Sequence, residues 1–291
     1  MNICLRPQPP VLSRSLTRVA DALEATAPAS VRLVRRAKDA DLTIHHVIGR
    51  GQLEAMDADI QAGKPYAAIQ YCVKSSDAPD RATWLPRWEQ ARLVWSYYDL
   101  THHDVMGEPT FPFYYAPLGV DRTVFNLGPA PLGRRWLLAT TGYVAETECL
   151  QECADAVAKL GGRMLHLGHR LNLGPHVDYV MDIPDADWAG YLRQCQFVAG
   201  LRRIEGFELP ILEGYACGAI PITFETPCYD WFQNFALRVP EGSPSYVSDA
   251  VRRVLEVHRS ASAPTADAID RHLAPFDWTT VTRGFWEKLL A

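Results

Sequence analysis

Two carboxylates, Glu205 and Glu213, stand with seven residues between them in the stretch 200–226, GLRRIEGFELPILEGYACGAIPITFET. An ionised carboxylate only accepts hydrogen bonds, and its two oxygens suit the adjacent hydroxyls of a ribose or hexose. The residues around the pair predict where each one sits. QFVAG reads as a buried strand, Pro210 opens a short helix, Gly218 stops it, and AIPITF reads as the next strand. Glu205 then lies in the turn and Glu213 inside the helix. The turn and helix mouth, at Gly206 and Phe207, offer backbone N–H groups and the positive end of the helix dipole to an anion. Phosphate at the helix mouth and sugar diols on the carboxylates are together the chemistry of a nucleotide-sugar.

The elements that must position this stretch alternate along the chain. An apolar strand at Asn2–Leu5 is followed by a helix with Leu12, Leu16, Val19 and Leu23 on one face. VRLVRR and DLTIHHVIG read as strands, GQLEAMDADIQAG as a helix, and YAAIQYCVK and LVWSYYDL as further buried strands. NLGPAPLG reads as a Pro/Gly linker and sets a boundary after Leu127, giving domains 1–127 and 128–291. A second series follows: RRWLLATTG, the helix ECLQECADAVAKLG, RMLHLG, DYVMDI, the helix DADWAGYLRQC, the opening stretch, and the helix SYVSDAVRRVLEVHR. A loop then leads to the aromatic segment FDWTTVTRGFWEKLL. Strands alternating with helices predict an α/β fold, with a parallel sheet and right-handed crossovers in each half.

EGFELPILEGYACGAIPI resembles the E-x7-E stretch of family-4-type GT-B glycosyltransferases, with Glu205, Gly206, Phe207, Pro210, Glu213, Gly218 and Pro221 among the matching positions. APLGVDRTVF resembles the hinge strand of that family, and Asp41 and His46 in ADLTIHHVIG match its D-x-x-h-x-H strand. The resemblance implies two Rossmann-like domains whose parallel sheets face a cleft. The N-terminal one would bind acceptor and the C-terminal one donor, with the last helix crossing back to the N-terminal domain. It implies a retaining transfer that needs no metal or other cofactor; the co-substrate is a nucleotide-sugar, a UDP-sugar by first expectation, with the nucleobase left open. Glu205 would hold the donor sugar, Glu213 the ribose diol, and His46 the reacting hexose. The departing phosphate itself would take the acceptor's proton.

The phosphate clamp departs from the family pattern. The family places an Arg after the glycine of the first C-terminal strand and a Lys several residues on. Here TTGYVAETECL has Tyr143 after Gly142 and no basic residue before Lys159. Arg202 and Arg203, beside the E-x7-E stretch, are the candidate substitutes, with Arg170 third, because a guanidinium fork suits phosphate oxygens. His102, His103 and Asp104 follow a strand and are candidates to shape an acceptor pocket or to cap a loop. His45 alternates to the other sheet face from His46, as a packing or hydrogen-bonding residue. Three Asp-Ala-Asp triplets, Asp39/Asp41, Asp57/Asp59 and Asp185/Asp187, read as solvated, the last as a helix cap, and no metal site is expected.

The compact N-terminal half and its mildly basic start resemble small viral enzymes that glycosylate hydroxymethylated pyrimidines in DNA. Trp95, Tyr97, Tyr98, Tyr114 and Tyr115 would either line a pocket for a flipped base or fill the core of two strands. Other acceptors are a glycan, a lipid-linked or a small-molecule hydroxyl. Outside the transferases, the alternatives are a non-catalytic nucleotide-sugar-binding protein and a nucleotide-sugar epimerase.

The 291 residues carry a net charge of −5, all of it after Leu127, since the first 127 residues hold 14 basic and 14 acidic side chains. That balance argues against strong non-specific nucleic-acid binding. No run of eighteen apolar residues exists and MNICLRPQPP lacks an apolar leader core, so no membrane insertion is expected. Seven cysteines without a regular framework suit reduced thiols in a cytoplasm, the host's if the protein is viral. A monomer or weak homodimer is expected.

Overall fold

Near-continuous apolar strands bury both faces, so each needs helices above and below the sheet. The computed structural model describes residues 1–6, 14–47, 51–71, 81–97, 110–129, 133–203 and 207–291. Glu205, Gly206, His102, His103, Asp104 and Tyr98 lie outside these. The first series runs β1 (Asn2–Arg6), α1 (Arg14–Ala25), β2 (Arg32–Leu33), β3 (Leu42–Val47), α2 (Gly51–Gln61), β4 (Tyr66–Gln70), α3 (Arg81–Trp88), β5 (Leu93–Ser96) and β6 (Phe113–Tyr115). The second runs β7 (Trp136–Gly142), α4 (Leu150–Lys159), β8 (Met164–Gly168), β9 (Val177–Val180), α5 (Asp185–Leu192), β10 (Cys195–Gly200), α6 (Leu209–Ala216), β11 (Ile220–Phe224), β12 (Leu237–Val239), α7 (Pro244–Val257) and α8 (Ala266–Leu273). A last helix, α9 (Trp278–Leu290), closes the chain.

Among the described residues the strands form two six-stranded sheets, ordered β2-β1-β3-β4-β5-β6 and β12-β11-β10-β7-β8-β9. Every pairing is parallel. Two compact units result. The first holds the chain up to Gly119 together with Phe207 and Pro275–Ala291; the second holds the rest, from Val120 to Ala274. The division therefore follows Gly119, whereas the Pro/Gly composition places it after Leu127.

In the first unit α9 completes the core. Val281, Phe285, Trp286 and Leu289 are buried, with Phe285 against Trp95 at 5.2 Å between ring centroids. Burying each such side chain contributes about 1.5–3 kcal/mol. Three polar contacts fix the register: Trp286 Nε1 donates to the Leu23 carbonyl at 3.1 Å, Thr26 Oγ1 to Thr282 Oγ1 at 2.7 Å, and Tyr114 Oη to the Val281 carbonyl at 2.8 Å. Tyr114→Phe is expected to cost about 1 kcal/mol, one net hydrogen bond. A lowered urea midpoint for this unit would show it; an unchanged midpoint would mean that packing alone holds α9.

VRLVRR yields only the two residues of β2, an edge strand with Arg32 exposed. The helix at Asp185/Asp187 is capped by Pro184, and both aspartates lie in its first turn, where they complement the helix dipole. Asp59, read as solvated, is buried and pairs with His45, Nε2 to Oδ2 at 2.9 Å. Trp95 and Tyr97 are buried core side chains, Trp95 donating from Nε1 to the Ala116 carbonyl at 3.0 Å.

Candidate functional site

In the second unit the chain leaves β10 at Gly200 and enters α6 with Glu208 at the N-cap and Pro210 second in the helix, where a missing N–H costs no bond. The helix ends in a Schellman pattern. Gly218, at φ 87°, donates to the Tyr215 carbonyl at 3.0 Å, and Ala219 to that of Gly214 at 2.9 Å. Gly214 weakens the helix locally but lets it close on the sheet, since a Cβ there would lie 2.4 Å from Val198 Cγ1. This close packing buries Glu213. Its Oε2 accepts from Trp188 Nε1 at 3.0 Å, which fixes the direction of the carboxylate. Nothing in the sequence, where they are 25 residues apart, links Trp188 to Glu213.

Open parallel sheets bind ligands outside the carboxyl ends of their strands. At that end of β7, Gly142 (φ 155°) pairs with Gly168 of β8 and leads into Tyr143 and Val144. The N–H groups of Tyr143 and Val144 both donate to Glu148 Oε2, at 2.5 and 2.6 Å. At the end of β10, Arg202 lies between two carboxylates: Nε is 2.7 Å from Glu208 Oε1, and Nη1 is 3.4 Å from Glu148 Oε1. Its Nη2 donates to Thr141 Oγ1 at 3.3 Å, and its backbone N–H to Tyr229 Oη at 3.0 Å. Arg203 lies between Glu241 at 3.4 Å and Glu152 at 3.8 Å. Four carboxylates thus surround the two arginines read as phosphate ligands. Arg170 is exposed and stands apart from them, its guanidinium 5.9 Å from the Tyr179 ring. Reading the loop only for basic residues passed over Glu148, although an acid just before a helix is a visible signal.

Phe207 is buried in the first unit, against Tyr97 at 5.7 Å and Phe276 at 6.2 Å. His45 and His46 lie on β3 of that unit, both fully buried. His46 Nδ1 is 2.7 Å from Tyr71 Oη, and Tyr71 is itself hydrogen-bonded to Tyr97. Burial, helped by the charge of neighbouring His45, lowers the His46 pKa to about 3, so the ring is neutral at physiological pH. Among the described residues its Nε2 has no hydrogen-bond partner. Tyr71 follows β4 beside the end of β3, a placement that the register Val47↔Gln70 explains and that the two segments read singly do not show. Among the described residues no group of three or more His, Cys, Asp or Glu side chains could hold a metal ion, and no helix is long and apolar enough to cross a membrane.

No protein-family model and no curated protein matches the sequence. Solved structures match it over its whole length. Sucrose-phosphate synthase from Thermosynechococcus elongatus superposes with a TM-score of 0.75 at 14% identity, covering 99% of this chain and 98% of that one. Anabaena HepE in complex with UDP gives 0.73 at 13% identity, covering 99% of each. The UDP-forming α,α-trehalose-phosphate synthase from Burkholderia xenovorans, in complex with glucose-6-phosphate, gives 0.66 at 11% identity and 100% of each. The fold is GT-B. At these identities the likeness is one of fold, and the chemistry rests on this chain's own residues.

Proposed function

We propose that the protein is a glycosyltransferase that moves a hexose from a UDP-sugar to an acceptor hydroxyl, with retention of configuration and without a metal. The observation that carries this reading is the buried, indole-oriented carboxylate of Glu213 on α6, in a chain that shares its fold end to end with HepE, a protein crystallised with UDP and with UDP-glucose. Glu213 would accept hydrogen bonds from both ribose hydroxyls, and the strand ends at Gly142 and Arg202 would meet the diphosphate. Glu205 would hold the sugar hydroxyls. His46, neutral and with Nδ1 engaged by Tyr71, would orient the hexose as a hydrogen-bonding group rather than as a charge. In the reaction the bond from the anomeric carbon to the β-phosphate oxygen breaks, a bond to the acceptor oxygen forms on the same face, and the departing phosphate takes the acceptor's proton.

For the acceptor we propose the hydroxymethyl group of a modified pyrimidine in DNA as the first to test. The burial of Trp95 and Tyr97 removes them from any base pocket; Tyr115, 40% exposed, and the compact, mildly basic N-terminal series support that reading. One observation favours a second reading, a nucleotide-sugar-binding protein without turnover: Arg202 and Arg203, the first two of the three candidate phosphate arginines, are committed to carboxylates of the chain.

The test is incubation with UDP-, GDP- and ADP-sugars in chelator, with and without hydroxymethylcytosine DNA, read by mass spectrometry. A mass gain of one hexose on the DNA supports the whole proposal. Consumption of donor with unmodified DNA keeps the transferase and dismisses that acceptor. Binding without consumption favours the second reading.

A further inference from the structure

At the carboxyl end of β7 the chain builds an oxyanion cradle and fills it with its own side chain. Two successive N–H groups, of Tyr143 and Val144, converge on Glu148 Oε2, while the Arg202 guanidinium faces Oε1 at 3.4 Å. Successive N–H groups in a turn, joined by an arginine, form a concave site for an anion. Gly142 leaves the approach open, and the carboxylate uses it: a Cβ at that position would lie 2.2 Å from Oε2. The Glu148 side chain is only 9% exposed, whereas Tyr143, part of the turn that holds it, is 64% exposed. Val144 is 49% exposed as well, and the group seated on both N–H groups is Glu148.

We propose that Glu148 is a built-in competitor for this cradle, and that a ligand's phosphate oxygens enter by displacing its carboxylate. The same two N–H groups and the same arginine would serve either anion, and a rotation of the Glu148 side chain separates the two states. Glu148 would thereby set how tightly a diphosphate binds at this strand end. Naming the natural anion as the diphosphate of a nucleotide-sugar rests on the proposed function; the competition between carboxylate and phosphate does not.

The test uses inorganic pyrophosphate on the full chain. Glu148→Gln keeps the shape of the side chain and removes its charge. The variant is expected to bind pyrophosphate at least about tenfold more tightly than the unmodified protein, equivalent to about 1.4 kcal/mol. Adding Arg202→Gln to that variant is expected to abolish the gain. Equal or weaker binding by Glu148→Gln, with an unchanged circular dichroism spectrum, would overturn the proposal. If the variant does not fold, amide NMR of the unmodified protein decides. Saturable shifts of the Tyr143 and Val144 resonances on adding pyrophosphate support displacement, and unmoved resonances contradict it. Tighter pyrophosphate binding by the variant in a protein that consumes no nucleotide-sugar would uphold the competitor and reject the transferase. Nucleotide-sugar turnover with pyrophosphate binding unaltered by the substitution would do the reverse.

Discussion

Glu213→Ala is expected to lower kcat/KM for nucleotide-sugar turnover by about 10²–10⁴-fold. A carboxylate that accepts from both ribose hydroxyls makes two charge-assisted hydrogen bonds, each about 1.5–3 kcal/mol. Losing both costs about 3–6 kcal/mol of binding, which corresponds to about that range. The substitution also strands Trp188 Nε1–H in a buried site, at about 1–3 kcal/mol of stability. Glu213→Gln separates the two effects, because its amide oxygen still accepts from Trp188 while the charge is gone. It is expected to recover most of the stability and little of the turnover. Steady-state kinetics beside urea melts of both variants checks this; normal turnover in the folded alanine variant would remove Glu213 from the site.

Acid is expected to destabilise the protein well above the usual carboxylate range. His46 titrates near 3 and His166 near 4, both lowered mainly by burial; burial also lowers His45 against the opposing pull of Asp59. A histidine whose folded pKa is depressed stays neutral while the unfolded chain takes up a proton below about 6.5. The unfolded state then binds more protons, so stability is lost as pH falls from about 6.5 towards each folded value. In that window each group contributes about 1.4 kcal/mol per pH unit. His45 and His46 act on the first unit and His166 on the second. Urea midpoints are therefore expected to drop between about pH 7 and pH 5, and His46→Gln to shrink the drop for the first unit. Midpoints that do not change over that interval would mean that these rings are protonated in the folded state.

The alternation of strands and helices was legible because apolar runs such as LTIHHV and FVAG bury both faces and sit between recognisable breakers. What escaped was short or broke a local rule. α3 carries Pro86 in its interior, which reads as a helix stop, and α8 is eight residues within a stretch read as a loop. The signal for α8 was nonetheless present in Thr265, whose side chain accepts from Ala268 N–H. β12, at three residues, is too short for a period to show.

At the candidate site, the capping residues Pro210 and Gly218 located α6 and the position of Glu213 within it. The partners of each side chain did not show in the sequence. Arg202 meets Glu148 because β7 and β10 are neighbours in the sheet, and that adjacency is a property of the crossover topology. Glu208 stands six residues from Arg202, yet as the N-cap of α6 its carboxylate lies 2.7 Å from that guanidinium. Capping signals placed Glu213 on α6; the sheet order decided that Glu148 meets Arg202.

A calorimetric titration with UDP and with its 2′,3′-dideoxy analogue shows whether the second unit holds a ribose diol. If Glu213 holds the ribose diol, UDP binds at least about 100-fold more tightly than the analogue, equivalent to about 3 kcal/mol, and Glu213→Gln removes most of that difference. Equal affinity for the two nucleotides, or no binding of either, would contradict the reading of the second unit as a nucleotide-sugar site.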